Sequence, residues 1–520
     1  MLVTDVEDRP AQPNPSGRHA AAEERPPMAW WSVAAIASPA AAVLLYSATR
    51  YGYFGDELYF LAAGRRLAFG YADQGPVLPL LARLMDTLAP GSYFAIRLPA
   101  VILTVLAIVL CAMLVREFGG GRWAQALAAL AYATSPFLLL QGTMLTTNSV
   151  DTALWVIITW LVVRWVHTRD DRLLLLAALV TAVDMQVKWL IPFFWLAVAA
   201  SSLAFGPREL VRRPLLWIGG AIVVVTMVPA LVWQANNGWP QLEMGRVIGE
   251  QQGVLGGRLL FIPMSISLAG LLGALLLLWG LWALLMWESL RPYRFLGVTL
   301  ILLYAAFLIT GGRIYYTTGM YAVMIAAGAV ALVTTAERTA AIGRAALISV
   351  TALLGAISTI FVLYAMPWKS PEDIEPPADL GQAAINIGTY GSFGWPELTA
   401  AVEQAYRALP PDQQAHTVII TDTYWQSAAL DQLGRDELPP IYSPSRGFGY
   451  FGTPPDDATT VLYVGEDDEP ELATQFERVE PIGEVDTRLG FPGNTQDVTI
   501  WKCTGRKQPW SQVWPQWMHL

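Results

Sequence analysis

The strongest constraint on the fold of this chain is a succession of apolar runs, each about 20 residues long. Of its 520 residues, 54% are hydrophobic and only 14% are charged. A run of about 20 apolar residues makes a helix of roughly 30 Å, which matches the hydrocarbon core of a bilayer. Inside that core the backbone polar groups must bond to one another, and a helix achieves this within one segment. The sequence therefore predicts a polytopic α-helical membrane protein.

The apolar runs predict about eleven membrane helices. Segments rich in arginine alternate along the chain with segments poor in basic residues, and the positive-inside rule places the arginine-rich ones in the cytoplasm. The N-terminus is then cytoplasmic, and an odd number of helices leaves everything after about Met366 outside. The predicted helices begin near Ala29, Tyr93, Trp123, Val150, Leu173, Lys188, Leu215, Ile262, Phe295, Thr318 and Ala345.

Charge and hydropathy divide the chain into three predicted parts. Residues 1–28 are polar and lack an apolar core, which predicts a disordered cytoplasmic tail and not a cleavable signal peptide. Residues 29–366 form the predicted transmembrane catalytic domain. Residues 367–520 hold 23 acidic and 9 basic residues and switch to a soluble pattern. Strand patterns at 417–421, 461–464 and 498–501, with a helix at 425–433, predict a small extracytoplasmic α/β domain there.

Two predicted outer loops are too long for simple hairpins. The first, residues 50–92, contains two stretches patterned as helices with one apolar face, residues 57–69 and 77–88. Amphipathic helices of this kind tend to lie in the membrane interface. The second long loop spans residues 236–261. We expect the first loop to cover a cavity at the outer face.

Two adjacent carboxylates, Asp56 and Glu57, open the first outer loop. A carboxylate pair where a membrane helix meets water can do acid–base chemistry on a substrate held at the bilayer surface. Exposed carboxylates also end many membrane helices without any function, and the covering loop is what favours a functional role here. We predict Asp56 and Glu57 as catalytic residues.

Asp151 and Lys188 are predicted at the same outer level. Asp151 follows Asn148 where the fourth helix re-enters the membrane, so it either caps that helix or belongs to the site. Lys188 is the only lysine before Lys369. An isolated cation at membrane depth needs a carboxylate, a cavity or an anionic ligand, unless its side chain reaches the interface.

The remaining outer loops supply further cations and tyrosines. Arg313 precedes Tyr315 and Tyr316 between two helices, and Arg246 lies in the second long loop. Arginine binds phosphate oxygens in a bidentate manner, although each of these residues could equally contact lipid headgroups. Carboxylates and cations on one face suit a substrate with a hydroxyl nucleophile and a phosphate leaving group. The hydroxyl needs a base, and the departing phosphate needs positive charge.

Several stretches of the chain resemble lipid-dependent glycosyltransferases of the GT-C superfold, specifically the family 39 group. That group includes protein O-mannosyltransferases and the aminoarabinose transferase acting on lipid A. The resemblance covers about residues 30–366. The stretches that carry it are residues 53–63 with the Asp-Glu pair, 70–80, 94–99, 190–192 after Lys188, 233–240 and 313–321.

The resemblance implies inverting sugar transfer from a polyprenyl-phosphate donor at the outer leaflet. Asp56 would then deprotonate the acceptor hydroxyl, and Glu57 would orient the acceptor or hold the loop. Asp151 would be the second acid of the site. Cations that would meet the polyprenyl phosphate are Lys188 and Arg313. Aminoarabinose transferases carry Lys-Pro-Pro in the first loop where this chain has Gln-Gly-Pro at 74–76, so the missing lysine leaves donor binding to other cations, with neighbouring Asp73 as a sugar contact.

Two other functions are compatible with these residues. A transporter or flippase of lipid-linked saccharides also needs a polar path, but such proteins usually show repeated halves and polar groups at the midplane. A binding or scaffold protein with inactive carboxylates is the third reading. The predicted partners are the polyprenyl-phosphate sugar, the lipid bilayer and a glycan, lipid or protein acceptor, with no nucleic acid. Carboxylate oxygens could also bind a divalent cation, although the resemblance to mannosyltransferases does not imply one.

Overall fold

The structure is a computed structural model that describes residues 25–254, 257–466 and 469–520. The predicted cytoplasmic tail therefore lies outside the described residues, except for its last four. Within these ranges, sixteen α-helices precede the C-terminal domain. They are α1 Trp30–Ser47, α2 Gly55–Arg65, α3 Val77–Leu88, α4 Tyr93–Glu117, α5 Arg122–Ala133, α6 Pro136–Leu140, α7 Thr147–Thr168, α8 Arg172–Met185, α9 Ile191–Phe205, α10 Pro214–Asn236, α11 Pro240–Val254, α12 Gly257–Ser267, α13 Gly270–Met286, α14 Arg294–Thr310, α15 Tyr321–Arg338 and α16 Ala341–Ala365.

Length and apolar composition make this a multi-pass membrane protein. In the described ranges, seven helices can cross a membrane by these criteria, and up to nine segments can if each bent pair counts as one span. The bent pairs are α5 with α6, at 72°, and α12 with α13, at 102°. The predicted number of eleven also counts α8 and α9, which have 14 and 15 residues. At 1.5 Å per residue such helices reach roughly 22 Å, so neither matches the bilayer core by itself.

The two amphipathic helices predicted in the first loop are present as α2 and α3. The two helices pack closely at Gly64, which has no side chain. A Cβ at this position would lie only 2.7 Å from the carbonyl oxygen of Pro79. Helix α2 is buried on almost every side, which differs from the interfacial position expected for it. Its C-terminal end is held by Arg66, which pairs with Asp431 at 2.9 Å. Because Asp431 belongs to the C-terminal part of the chain, α2 lies between the membrane helices and that part.

The C-terminal domain is a five-stranded mixed sheet with helices against it. The strand order is β2-β1-β3-β5-β4, with β2, β1 and β3 parallel and β5 antiparallel to both of its neighbours. Its elements are α17 Leu380–Ile385, α18 Ile387–Tyr390, α19 Trp395–Arg407, α20 Pro411–Gln414, β1 Thr417–Thr421, α21 Tyr424–Leu433, β2 Ile441–Tyr442, β3 Thr460–Gly465, α22 Glu469–Gln475, β4 Phe476–Val485, β5 Val498–Arg506 and α23 Trp510–Trp517.

The three predicted strands of this domain correspond to β1, β3 and β5, and the predicted helix corresponds to α21. Strands β1 and β3 are buried throughout, which is why they appear in the sequence as continuous apolar runs. Strands β2 and β4 were not predicted. Strand β2 has only two residues, and β4 is a largely exposed edge strand that contains Pro481.

Candidate active site

Asp56 lies in the first turn of α2, facing the C-terminal domain. Its Oδ1 accepts hydrogen bonds from the Tyr424 hydroxyl at 2.9 Å and from the Trp425 indole N–H at 2.8 Å. Trp425 can come this close because the residue before Asp56 is Gly55. A Cβ at Gly55 would lie 2.2 Å from the indole ring. The positive end of the helix dipole also favours a negative charge in the first turn. Two side chains of α21 therefore donate hydrogen bonds to the Asp56 carboxylate and cover it on the side of the C-terminal domain.

Glu57 points the other way, into the protein, and is fully buried. Its carboxylate pairs with Arg97 of α4 at 2.8 Å, and it accepts the backbone N–H groups of Phe54 and Leu145, each at 2.9 Å. Both oxygens are thus occupied by protein donors. Of the two roles expected for Glu57, these contacts favour holding the loop, because they join α2, α4 and the segment before α7.

Asp73 lies in the turn between α2 and α3 and accepts the hydroxyl of Tyr59 at 2.9 Å. Burial raises the pKa of the Asp73 carboxyl, and the positive charge of Arg446 partly offsets that rise. Arg446 comes from the C-terminal domain, with its guanidinium 5.0 Å from the centre of the Tyr424 ring. Tyr424, Asp73 and Asp56 raise the pKa of Arg446, in that order. One cation therefore balances two carboxylates at this end of the site.

A second pair of carboxyl groups lies beside Lys188. Asp151 of α7 is 7% exposed, and Asp184 of α8 is not exposed at all. The two side chains interact with each other, with Lys188 and with the indole of Trp155. Lys188 itself donates to Asn148 at 3.0 Å. Burial of ionisable groups costs free energy of folding. Clusters of buried carboxyl groups are therefore found more often at functional sites than elsewhere in a protein.

The tyrosines predicted for the site enclose Lys188. Its ammonium lies 4.4 Å from the centre of the Tyr316 ring and 5.1 Å from that of Tyr315, which are cation–π distances. Tyr316 is also within electrostatic range of Asp151, Arg313 and Arg446. The Lys188 cluster and the Asp56 cluster therefore belong to one region, although their residues come from widely separated parts of the sequence.

The two outer arginines are less central than the sequence predicts. Arg246 is exposed on α11 and pairs with Glu243 and Glu250 of its own helix. Arg313 is half-buried and donates to Gln251 at 2.7 Å. Each of them thus already has acceptors outside the carboxylate clusters, and only Arg313 lies near the tyrosines.

Four site residues were missed by the sequence reasoning: Tyr424, Trp425, Asp184 and Arg446. Tyr424 and Arg446 follow the C-terminal ends of the parallel strands β1 and β2, where functional residues of parallel sheets collect. Arg446 also has a positive φ of 48°, which is uncommon for a residue other than glycine. Strand position could thus have drawn attention to both, and Asp184 could have been noticed as an acid inside an apolar run, four positions before Lys188.

A divalent cation would find few protein ligands here. Within the described ranges, no group of three or more His, Cys, Asp or Glu side chains is arranged to hold a metal ion. Each carboxylate cluster has two carboxyl groups and a cation beside them.

Comparison with known proteins bears on the fold and on one segment of the sequence. A family model described as dolichyl-phosphate-mannose-protein mannosyltransferase matches residues 73–233. No sequence among the curated proteins matches the chain. Among solved structures, the chain is similar to ArnT from Cupriavidus metallidurans in the apo state, at 15% identity over 91% of this chain and 98% of that one, with a TM-score of 0.60.

Two further structures give the same result. ArnT from Cupriavidus metallidurans bound to undecaprenyl phosphate is similar at 14% identity over 91% of this chain and 98% of that one, with a TM-score of 0.54. The arabinofuranosyltransferase AftD from Mycobacteria is similar at 15% identity over 93% of this chain and 42% of that one, with a TM-score of 0.50. At such identities the similarity shows a shared fold, and it confirms the GT-C fold predicted from the sequence.

Proposed function

We propose that this chain is an inverting glycosyltransferase that moves a sugar from a polyprenyl-phosphate donor to a hydroxyl acceptor at the outer face of a membrane. The observation that carries the proposal is the placement of Asp56. Its carboxylate lies at the N-terminus of α2, is oriented by Tyr424 and Trp425, and has two cations, Arg446 and Lys188, in the surrounding region. The matching family model and the GT-C fold support the same reaction.

The reaction is a single displacement in which Asp56 acts as the base. Its carboxylate takes the proton of the acceptor hydroxyl, and the oxygen forms a bond to the anomeric carbon. The bond between that carbon and the donor phosphate breaks, and the phosphate oxygen keeps the electron pair. Attack from the face opposite the phosphate inverts the anomeric configuration. A positioned base of this kind contributes roughly 10²–10⁴-fold to the rate.

The departing polyprenyl phosphate gains negative charge and needs nearby cations. In our proposal Lys188 supplies this charge, held by Asn148 and the Tyr316 ring, with Asp151 and Asp184 behind it. Arg313 is close enough to Tyr316 to assist. The ArnT structure bound to undecaprenyl phosphate supports a polyprenyl phosphate as the lipid carrier.

The donor sugar in this proposal is a hexose or a pentose. Mannose in the description of the family model and arabinofuranose in the name of AftD represent the two classes. Glycans, lipids and proteins with free hydroxyl groups are the acceptor classes. We also propose that residues 29–366 form the catalytic membrane domain and that residues 367–520 lie outside the cell with the N-terminus in the cytoplasm, as the arginine distribution favours.

The test uses purified full-length chain in detergent and polyprenyl-phosphate mannose or arabinose labelled in the sugar. Glycan, lipid and protein fractions of a cell envelope are supplied as acceptors. We expect label in one acceptor fraction together with an equal amount of free polyprenyl phosphate. Label that stays on the donor in detergent, but crosses the bilayer in proteoliposomes, would instead identify a flippase.

A further inference from the structure

The end of the helix bundle remote from Asp56 carries a cavity with a volume of about 640 Å³. Its lining comes from the C-terminal ends of α7 and α9 and from the turn before α14. The charged residues in it are Arg169, Arg208, Glu288, Arg291 and Arg294. We infer that this cavity binds the phosphate headgroup of an anionic phospholipid.

Two helices show that this cavity and the candidate active site are at opposite ends of the bundle. Helix α7 begins beside Asn148 and ends one residue before Arg169. Helix α9 begins three residues after Lys188 and ends at Phe205, which lines the cavity. At 1.5 Å per residue, α7 alone separates the two regions by roughly 33 Å. The cavity is therefore a site distinct from the one proposed for sugar transfer.

Two of the four arginines already have carboxylate partners. Arg169 pairs with Glu209 at 2.8 Å, and Arg291 pairs with Glu288 at 3.0 Å. Arg208 and Arg294 form no ion pair with any described residue. Arg208 donates its Nε to the backbone carbonyl of Leu203 at 2.9 Å, and the buried Nε of Arg294 has no acceptor among the described residues. Two guanidinium groups therefore face the same cavity without a carboxylate partner of their own. A phosphate supplies both the charge and the fork of oxygens that guanidinium donors match.

The surroundings of the cavity favour a lipid over a soluble phosphate. Phe205 lines the cavity and is 56% exposed. Met286, at the end of α13 and two residues before Glu288, is exposed as well. The polar cavity thus continues into an apolar surface of the bundle, where acyl chains would lie. Basic pockets between membrane helices on the cytoplasmic side are suited to anionic headgroups in this way.

This inference uses no residue of the sugar-transfer site and stands or falls independently of it. The test places the full-length chain in nanodiscs of phosphatidylcholine, with or without phosphatidylglycerol. Protein-bound lipid is counted after detergent extraction, and the melting temperature is recorded. We expect bound phosphatidylglycerol and a higher melting temperature in the presence of this lipid.

The informative variant is Arg208→Gln/Arg294→Gln, which removes the two unpaired charges. Its matched control is Arg338→Gln/Arg344→Gln, which removes two exposed arginines outside the cavity, one at the end of α15 and one near the start of α16. We expect phosphatidylglycerol binding to weaken about tenfold or more in the first variant, because charge-assisted hydrogen bonds are lost, and to be unchanged in the second. Both variants lose the same charge, so a general electrostatic effect would lower binding equally in both and overturn the inference.

Two further results decide the ligand. Soluble glycerol phosphate that stabilises the protein in phosphatidylcholine as strongly as phosphatidylglycerol does would overturn a lipid site. Unchanged binding in the Arg208→Gln/Arg294→Gln variant would overturn the cavity as the location. Should that variant fail to fold, Arg208→Gln alone, at an exposed position, gives the same comparison against Arg338→Gln.

Discussion

The indole N–H of Trp425 donates to the carboxylate of Asp56 over 2.8 Å, across 369 positions of the sequence. Tyr424 donates to the same oxygen, Oδ1, and no described residue forms a hydrogen bond with Oδ2. Two fixed donors on one oxygen orient the carboxylate and leave the other oxygen for an acceptor hydroxyl. In the proposed reaction the C-terminal domain therefore takes part in positioning the base.

Replacing Asp56 by Asn tests the base directly. Asparagine keeps an oxygen for Tyr424 and Trp425 but cannot take a proton, so we expect transfer to fall roughly 10²–10⁴-fold with the melting temperature preserved. Initial rates of polyprenyl phosphate release provide the measurement. Asp457→Asn, at an exposed position of the C-terminal domain, is the matched control and should keep full activity. Full turnover in Asp56→Asn would remove the base from the proposal.

Replacing Glu57 by Gln should act on stability. The change leaves the guanidinium of Arg97, which is only 3% exposed, without a counter-charge. Breaking a buried ion pair in this way costs about 3–5 kcal/mol, so we expect a clearly lower melting temperature in detergent. Glu403→Gln removes a carboxylate that pairs with the exposed Arg407, and this control should have little effect. An unchanged melting temperature in Glu57→Gln would contradict the structural role.

Arg446 should support activity from the C-terminal domain. Its guanidinium lies over the Tyr424 ring and within electrostatic range of Asp56 and Asp73. We expect Arg446→Gln to lower kcat/KM roughly 10²-fold, because a cation near the reacting groups is lost. The exposed Arg478 gives the control Arg478→Gln, which should behave like the unmodified protein. Equal activity of the two variants would exclude Arg446 from the site.

Asp73 should make stability depend on pH. Burial raises the pKa of its carboxyl above the ordinary 3.8, so the folded protein binds more protons than the unfolded chain between these two pKa values. The contribution of Asp73 to the free energy of unfolding must then fall as pH rises above 3.8 through the folded pKa. Asp73→Asn removes this contribution, so we expect the melting temperature of the variant to rise relative to that of the unmodified protein as the pH is raised from 3.8 through the folded pKa of Asp73. A constant difference between the two across this range would contradict the burial effect.

Lys188 should bind the donor phosphate. We expect Lys188→Met to raise KM for the polyprenyl-phosphate sugar at least tenfold, because a cation that neutralises phosphate is lost from a partly buried site. Lys369 offers a close control, since its ammonium also lies over a tyrosine ring, that of Tyr364, at 4.1 Å. Lys369→Met should leave KM unchanged. The role in donor binding is refuted if Lys188→Met raises KM no more than Lys369→Met does.

The class of the molecule and the local part of the site could be predicted from the amino-acid pattern. Apolar runs of bilayer length specify membrane helices whatever their neighbours are, because each helix satisfies its own backbone. The carboxylates of the first loop were recognisable for a similar reason, since Asp56 stands at a hydropathy boundary that can be read locally. The shared fold confirms the class of membrane protein predicted from these features.

The different roles of Asp56 and Glu57 became visible only in the three-dimensional structure. The same is true of the residues from the C-terminal domain that contact Asp56. Adjacent positions at the start of α2 point in different directions, so Asp56 meets Trp425 while Glu57 meets Arg97. Asp184 likewise reaches Asp151 through the packing of α8 against α7. Contacts between residues tens or hundreds of positions apart leave no periodic pattern in the chain. They exist because apolar burial brings whole helices and domains together, and the sequence expresses that packing only through the fold.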